Sequence, residues 1–146
     1  MAGRAGRGPK GGEVFIQTAL PNHYAIESAL EHDFVGFAER ELETRREPSY
    51  PPFSRLVNVV VSGMDERATQ EAAVAAADWV SGLLAARRVR GVELIGPAPC
   101  PIDRIRGRWR WHFILRSPSS KVLGKVARYF YEKYSVPANK ADLRIA

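Results

Sequence analysis

Three prolines close together, Pro48, Pro51 and Pro52, constrain this chain more than any other feature. Proline has no amide hydrogen to donate, and its ring collides with the preceding helical turn, so no helix runs through such a cluster. The helical pattern upstream therefore ends there, and a new element begins beyond it. Upstream, Phe34 to Glu47 reads as a helix with an apolar face of Phe34, Phe37, Ala38 and Leu42. Its charged face carries Glu39, Arg40, Glu41, Glu43, Arg45 and Arg46, with i,i+4 pairs such as Glu41 with Arg45. An earlier helix is expected from His23 to about His32, and Glu13 to Thr18 reads as a short apolar strand after a glycine-rich turn.

Downstream, Arg55 to Val61 is rich in β-branched residues and stops at Ser62-Gly63, which predicts a strand and its turn. From Asp65, a plausible N-cap, to about Ala86, Ala73, Ala76, Ala77, Val80, Leu83 and Leu84 fall at helical spacing. Val92 to Ile95 is a second strand, expected to stop at Gly96-Pro97-Ala98-Pro99, and Trp109 to Arg116 a third. Ser119 to about Tyr134 is helical, with Leu123, Val126, Ala127, Phe130 and Tyr134 on one face, and Leu143 begins a last strand. The order β-α-β-β-α-β predicts an α+β, ferredoxin-like (split βαβ) domain over residues 54–146. The prolines separate it from a helical connector, 21–53, and an N-terminal piece, 1–20.

Charge is unevenly spread. Residues 1–12 hold three basic groups and no acid, residues 13–101 hold eight basic and thirteen acidic groups, and residues 102–146 hold eleven basic and three acidic groups. A net −5 middle beside a +8 C-terminal third points to localised contact with a polyanion, although arginines also serve simply to solubilise a surface. No apolar run approaches the length of a membrane span, and the start is Gly/Arg-rich where a signal peptide would be apolar. A soluble, cytoplasmic chain with no membrane partner is expected. One cysteine, Cys100, excludes an internal disulfide framework and a cysteine-built zinc site.

The densest chemistry lies in Arg104-Ile105-Arg106-Gly107-Arg108-Trp109-Arg110-Trp111. Strand alternation puts Trp109, Trp111, Phe113 and Leu115 on one face, as core, and Arg108, Arg110, His112 and Arg116 mainly on the other. Arginines beside the flexible Gly107 turn suit sequence-independent phosphate contact. Lys121, Lys125, Arg128 and Lys133 extend the basic surface along the last helix, or form an ordinary solvated face. His23, His32 and His112 lack metal-ligand spacing, so no metal site is expected. Cys100, between Pro99 and Pro101, reads as a packed thiol in a rigid turn. Near the start, Arg4 and Arg7 stand among small residues that let a backbone come close. Guanidinium there could grip phosphate bidentately, while the same composition also makes a floppy basic tail. Gly8-Pro9-Lys10-Gly11 is not a P-loop.

Together these segments resemble one family, the primosomal replication-restart helicases known as primosomal protein N′ (PriA). The resemblance runs through Ala2-Gly3-Arg4-Ala5-Gly6-Arg7, similar to the end of helicase motif VI, and the strand after it. It continues through Arg45-Arg46, Tyr50-Pro51-Pro52-Phe53-Ser54-Arg55-Leu56, Gly96-Pro97-Ala98-Pro99-Cys100-Pro101-Ile102 and Gly107-Arg108-Trp109-Arg110-Trp111. It implies a bacterial, nucleoid-associated, DNA-dependent ATPase that unwinds DNA 3′ to 5′, recognises stalled forks and starts primosome assembly. Residues 1–20 would be the end of the second helicase lobe, with Arg4 and Arg7 facing the ATP phosphates and Arg7 the catalytic arginine finger. Arg106, Arg108 and Arg110 would contact DNA. Lys121 would lie near the surface that holds the acidic C-terminal tail of the single-stranded DNA-binding protein, although Ser120 stands where the family pattern carries a basic residue. Other primosome proteins are implied partners.

ATP, magnesium and zinc belong to the full-length family, whose P-loop, acidic Mg²⁺ motif and cysteine-rich insertion have no counterpart here. The chain is therefore expected to be a C-terminal fragment that needs no cofactor and does not hydrolyse ATP alone. Two other readings stay open: a stand-alone ferredoxin-like nucleic-acid-binding module, and a protein-docking domain whose arginines only decorate a surface.

Overall fold

A computed structural model describes residues 14–135 and 144–145. The chain divides into two compact units at Thr44 and Arg45. Arg4 and Arg7 lie outside the described residues.

In the first unit, α1 (Tyr24–Leu30) and α2 (Phe34–Arg46, its last two residues in the second unit) form a helical hairpin. The His23 side chain caps α1 by accepting from the Ala25 amide, and Asp33 does the same for the Gly36 amide at the start of α2. Tyr24 stacks on Phe37 at 6.1 Å, and its hydroxyl donates to Glu41. No residue of α2 is buried, and Phe34 on its expected apolar face is 76% exposed. Val14 to Thr18 departs from expectation, because it forms no strand and Phe15 is 88% exposed. A lone strand leaves its amides and carbonyls unpaired, and no partner strand reaches this stretch among the described residues.

The second unit holds β1 (Arg55–Gly63), α3 (Glu66–Ala86), β2 (Glu93–Ile105), β3 (Arg108–Ser117), α4 (Ser120–Lys133) and β4 (Arg144–Ile145). The sheet order is β2-β3-β1-β4 with every neighbouring pair antiparallel, the ferredoxin-like arrangement. The unit takes in residues 45–53 ahead of the expected start at 54. Side chains hold that segment: Arg116 Nη1 donates to Pro48 O at 2.6 Å, and Arg45 Nη1 to Pro51 O at 3.3 Å.

Both main helices start where their caps require. Asp65 accepts from the Ala68 amide at 2.7 Å, and Ser119 Oγ from the Val122 amide at 3.3 Å. The small side chains Ala72, Ala73, Ala76 and Ala77, with Val80, let α3 lie close on the sheet. Leu123, Val126 and Phe130 fasten α4 beside it. Val59, Phe113 and Leu115 are the sheet's share of this core, each contributing about 1.5–3 kcal/mol by leaving water. Trp79 fills the gap between the helices, meeting Tyr129, Phe130 and Tyr134, and burial pushes the Tyr134 phenol pKa up.

Strand β2 overturns a second expectation, since it does not stop at Gly96-Pro97 but runs on to Ile105. As the outer strand it can lose proline amides on its free side, and its pairing with β3 slips between Ile95 and Ala98 and again between Pro99 and Arg104. Gly96, at φ +100, makes the first slip possible, because a Cβ there would come within 3.2 Å of His112 O. Cys100 is thus a buried strand residue and not part of a turn.

A candidate nucleic-acid interface

The register assigns each side chain of the sheet to a face. Val59, Val61, Trp111, Phe113 and Leu115 point to the helices. Their alternates Leu56, Asn58, Val60 and Ser62 on β1, with Arg108, Arg110, His112, Ile114 and Arg116 on β3, line the face that α3 and α4 leave open. Arg144 of β4 sits opposite Ser62, which is itself opposite Arg110. Arg110, Ser62 and Arg144 therefore form a row across three strands, with Arg108 two residues before Arg110 on β3.

The arginines are held in different ways. Arg108 Nη2 donates to Ser62 O at 3.0 Å, and Arg110 Nη1 to Ile102 O at 3.1 Å. Both guanidiniums are thus propped against the sheet by backbone carbonyls. Arg116 differs, because it is bound to Glu93 at 2.6 Å and to Pro48 O, a structural clamp at the far end of the face. His112 Nδ1 meets Asn58 Oδ1 at 2.9 Å between these two ends. Burial pushes the Cys100 thiol pKa up, and the nearby Arg110 charge opposes that rise.

Arg106 stands apart from Arg108 and Arg110. It forms with Gly107 the two-residue turn between Ile105 and Arg108, with φ values of +50 and +79. Both values lie in the left-handed region that a type I′ hairpin turn demands, and glycine meets that demand without strain. The expected cluster of three arginines is therefore split, two on the open face and one at the hairpin tip.

Trp111 packs on Val61, Ala72 and Ala73 as expected. Trp109 is half-buried and outside the described core clusters: it pairs with Gly63, the last residue of β1, and the Arg104 guanidinium lies over it, 5.1 Å from the ring centre. Lys121 lies on α4 with Lys125 and Arg128, one turn apart on an exposed face where Gly124 leaves a shallow cavity. Arg144 was not singled out from the sequence, since only the β4 register brings it beside Arg110. Among the described residues, no three His, Cys, Asp or Glu side chains gather to hold a metal, and no helix is long and apolar enough to cross a membrane.

Fold and surface together define a small α+β domain with one sheet face closed by helices and the other basic. The chain belongs to the primosomal protein N C-terminal domain family, whose pattern matches residues 46–146. It is similar to proteins named replication restart protein PriA. The relative from Treponema pallidum is 38% identical over 94% of this chain and 20% of its own length. That from Synechocystis is 38% identical over 82% and 14%, and that from Bacillus subtilis 35% over 92% and 16%. The chain thus spans a fifth or less of the length of these relatives.

Proposed function

We propose that this chain is the DNA-contacting C-terminal part of a replication-restart helicase, and that the open sheet face is where it meets the phosphate backbone. The observation that carries this reading is the row of Arg110 and Arg144 beside Arg108 on the face that α3 and α4 leave open, with Arg108 and Arg110 steadied by backbone carbonyls. Guanidiniums so placed attract phosphate without reading bases, which suits a protein that engages forks of any sequence. Binding should weaken steeply with salt, because each neutralised phosphate releases counterions. Fluorescence anisotropy of the whole chain on labelled DNA over a salt series tests this. A log–log slope of about −2 to −3 is expected for three contacts, and a slope near zero would contradict the reading.

Within such a parent, Arg4 and Arg7 would serve the ATP phosphates, with Arg7 as the finger that steadies transition-state charge. The exposed Lys121, Lys125 and Arg128 stripe supports a second contact, with the acidic tail of the single-stranded DNA-binding protein. Charge complementarity is the basis of that assignment. Lys125→Glu should abolish binding of a synthetic tail peptide while leaving DNA affinity within about twofold, since α4 lies on the far side of the sheet from the open face. Primosome proteins remain further partners of the parent.

A further inference from the structure

We infer that His112 is a further phosphate contact on the open face and that it makes this contact only when its ring is doubly protonated, so that DNA binding takes up a proton; this rests on the DNA-binding reading above. His112 follows Arg108 and Arg110 along the open-face positions of β3, and alternate residues of a strand stand about 7 Å apart. Its partners across the sheet are Val60 on β1 and Ala98 on β2, both apolar. The ring is half-buried, with Nδ1 2.9 Å from Asn58 Oδ1 and no hydrogen-bond partner at Nε2 among the described residues. An amide oxygen only accepts, so Nδ1 carries a hydrogen and the neutral ring keeps its lone pair at Nε2. That lone pair cannot receive a phosphate oxygen. A proton added there turns the same atom into a charged donor, and the Asn58 contact is kept in both forms.

The charges around the ring leave phosphate as its natural counter-ion. On β3 the open face carries Arg108, Arg110 and Arg116, while β1 brings Asn58, Val60 and Ser62, none of which titrates. Strand β2 brings Cys100, buried beside Arg110, and Glu93, and Arg144 of β4 lies opposite Ser62. Glu93 is the carboxylate of this set, and it is tied to Arg116 at 2.6 Å. The anion that would pair with a charged His112 is therefore the bound phosphate. Binding and protonation then favour each other, and affinity should rise as pH falls through the range in which histidine changes charge, from about 8 to about 5.

Anisotropy of the full chain on a short labelled duplex, at pH 6 and pH 8 over a salt series, tests this. Binding should be about tenfold tighter at pH 6, with a log–log salt slope steeper by up to about one unit, because one more phosphate is neutralised. His112→Gln should bind at both pH values as the parent does at pH 8. His112→Lys, charged throughout, should bind at both as the parent does at pH 6, which separates loss of charge from a disturbed strand. His32→Gln, in the first unit, should keep the parent's pH response. Affinity that ignores pH, a pH response that survives in His112→Gln, or one that disappears in His32→Gln would each overturn the proposal while leaving the DNA-binding reading intact. Failure of the parent chain to bind at either pH would overturn both.

Discussion

The two faces of the sheet are built from alternate residues of the same strands, yet they obey different rules. On the helix side, Val59, Val61, Phe113 and Leu115 are buried to 5% exposure or less, and they pack in clusters of aliphatic and aromatic side chains. On the open side, positions one residue away carry Arg110, His112 and Arg116, whose partners are carbonyl, amide and carboxylate groups. A one-residue slip of β3 would exchange the two sets, so the buried aromatics that hold the fold together also fix where the arginines point. The stabilising core and the proposed DNA contact thereby fall on opposite sides of one strand. A substitution on either face should disturb mainly one of the two.

The largest effect is expected from the closed face. Phe113→Ala should lower unfolding free energy by about 3–5 kcal/mol in urea melts, because the ring is fully buried and packs edge-on against Phe130 at 5.9 Å. Any folded fraction should keep the parent's salt slope on DNA. A mild melt with a lost slope would mean that the faces are not separable.

Next in size is Gly96→Ala at the first slip of β2, expected to cost about 1–3 kcal/mol from the left-handed backbone and the approach of His112 O. Asp65→Ala should cost about 1 kcal/mol through loss of the α3 cap, read by the same melts, with DNA affinity unaltered. A stronger effect of this remote cap on DNA binding would break the division between the faces.

The smallest effect is one of pH. Burial raises the folded-state pKa of Cys100, so the unfolded chain releases the thiol proton first. Stability should therefore be fully present below the unfolded thiol's pKa of about 8.5 and decline as pH rises above it. The decline should be smaller in Cys100→Ala, which melts at pH 7 and pH 9 would show, below the range where the Tyr134 phenol, also pushed up by burial, begins to ionise.

Much of the second unit was legible in the sequence because its signals are local and strong. The β-branched run after the prolines gave β1, the Asp65 and Ser119 caps gave the starts of α3 and α4, and alternation in β3 gave the two faces. The misreadings depended on distant partners. Proline argues against a strand only where its missing amide is needed, and nothing local to Gly96-Pro97 says that β2 lies at the sheet edge. Trp109 follows the alternation but pairs with Gly63 where β1 ends, a fact of register that no periodicity contains. Val14 to Thr18 has the composition of a strand, but none of the described strands pairs with it. Arg144 joined the basic row only through pairing across the sheet, whereas the turn at Arg106 was visible because glycine follows it.

Replacing Arg108, Arg110 and Arg144 together by Gln tests the division of the faces most directly, with DNA affinity measured over a salt series and stability in urea on the same protein. The log–log salt slope should become shallower by about two to three units. Stability should change by no more than about 2 kcal/mol, the worth of the carbonyl contacts removed. An unchanged slope and affinity in a folded triple variant would contradict the account, leaving the open face a solvated surface and the domain a docking module for acidic protein segments.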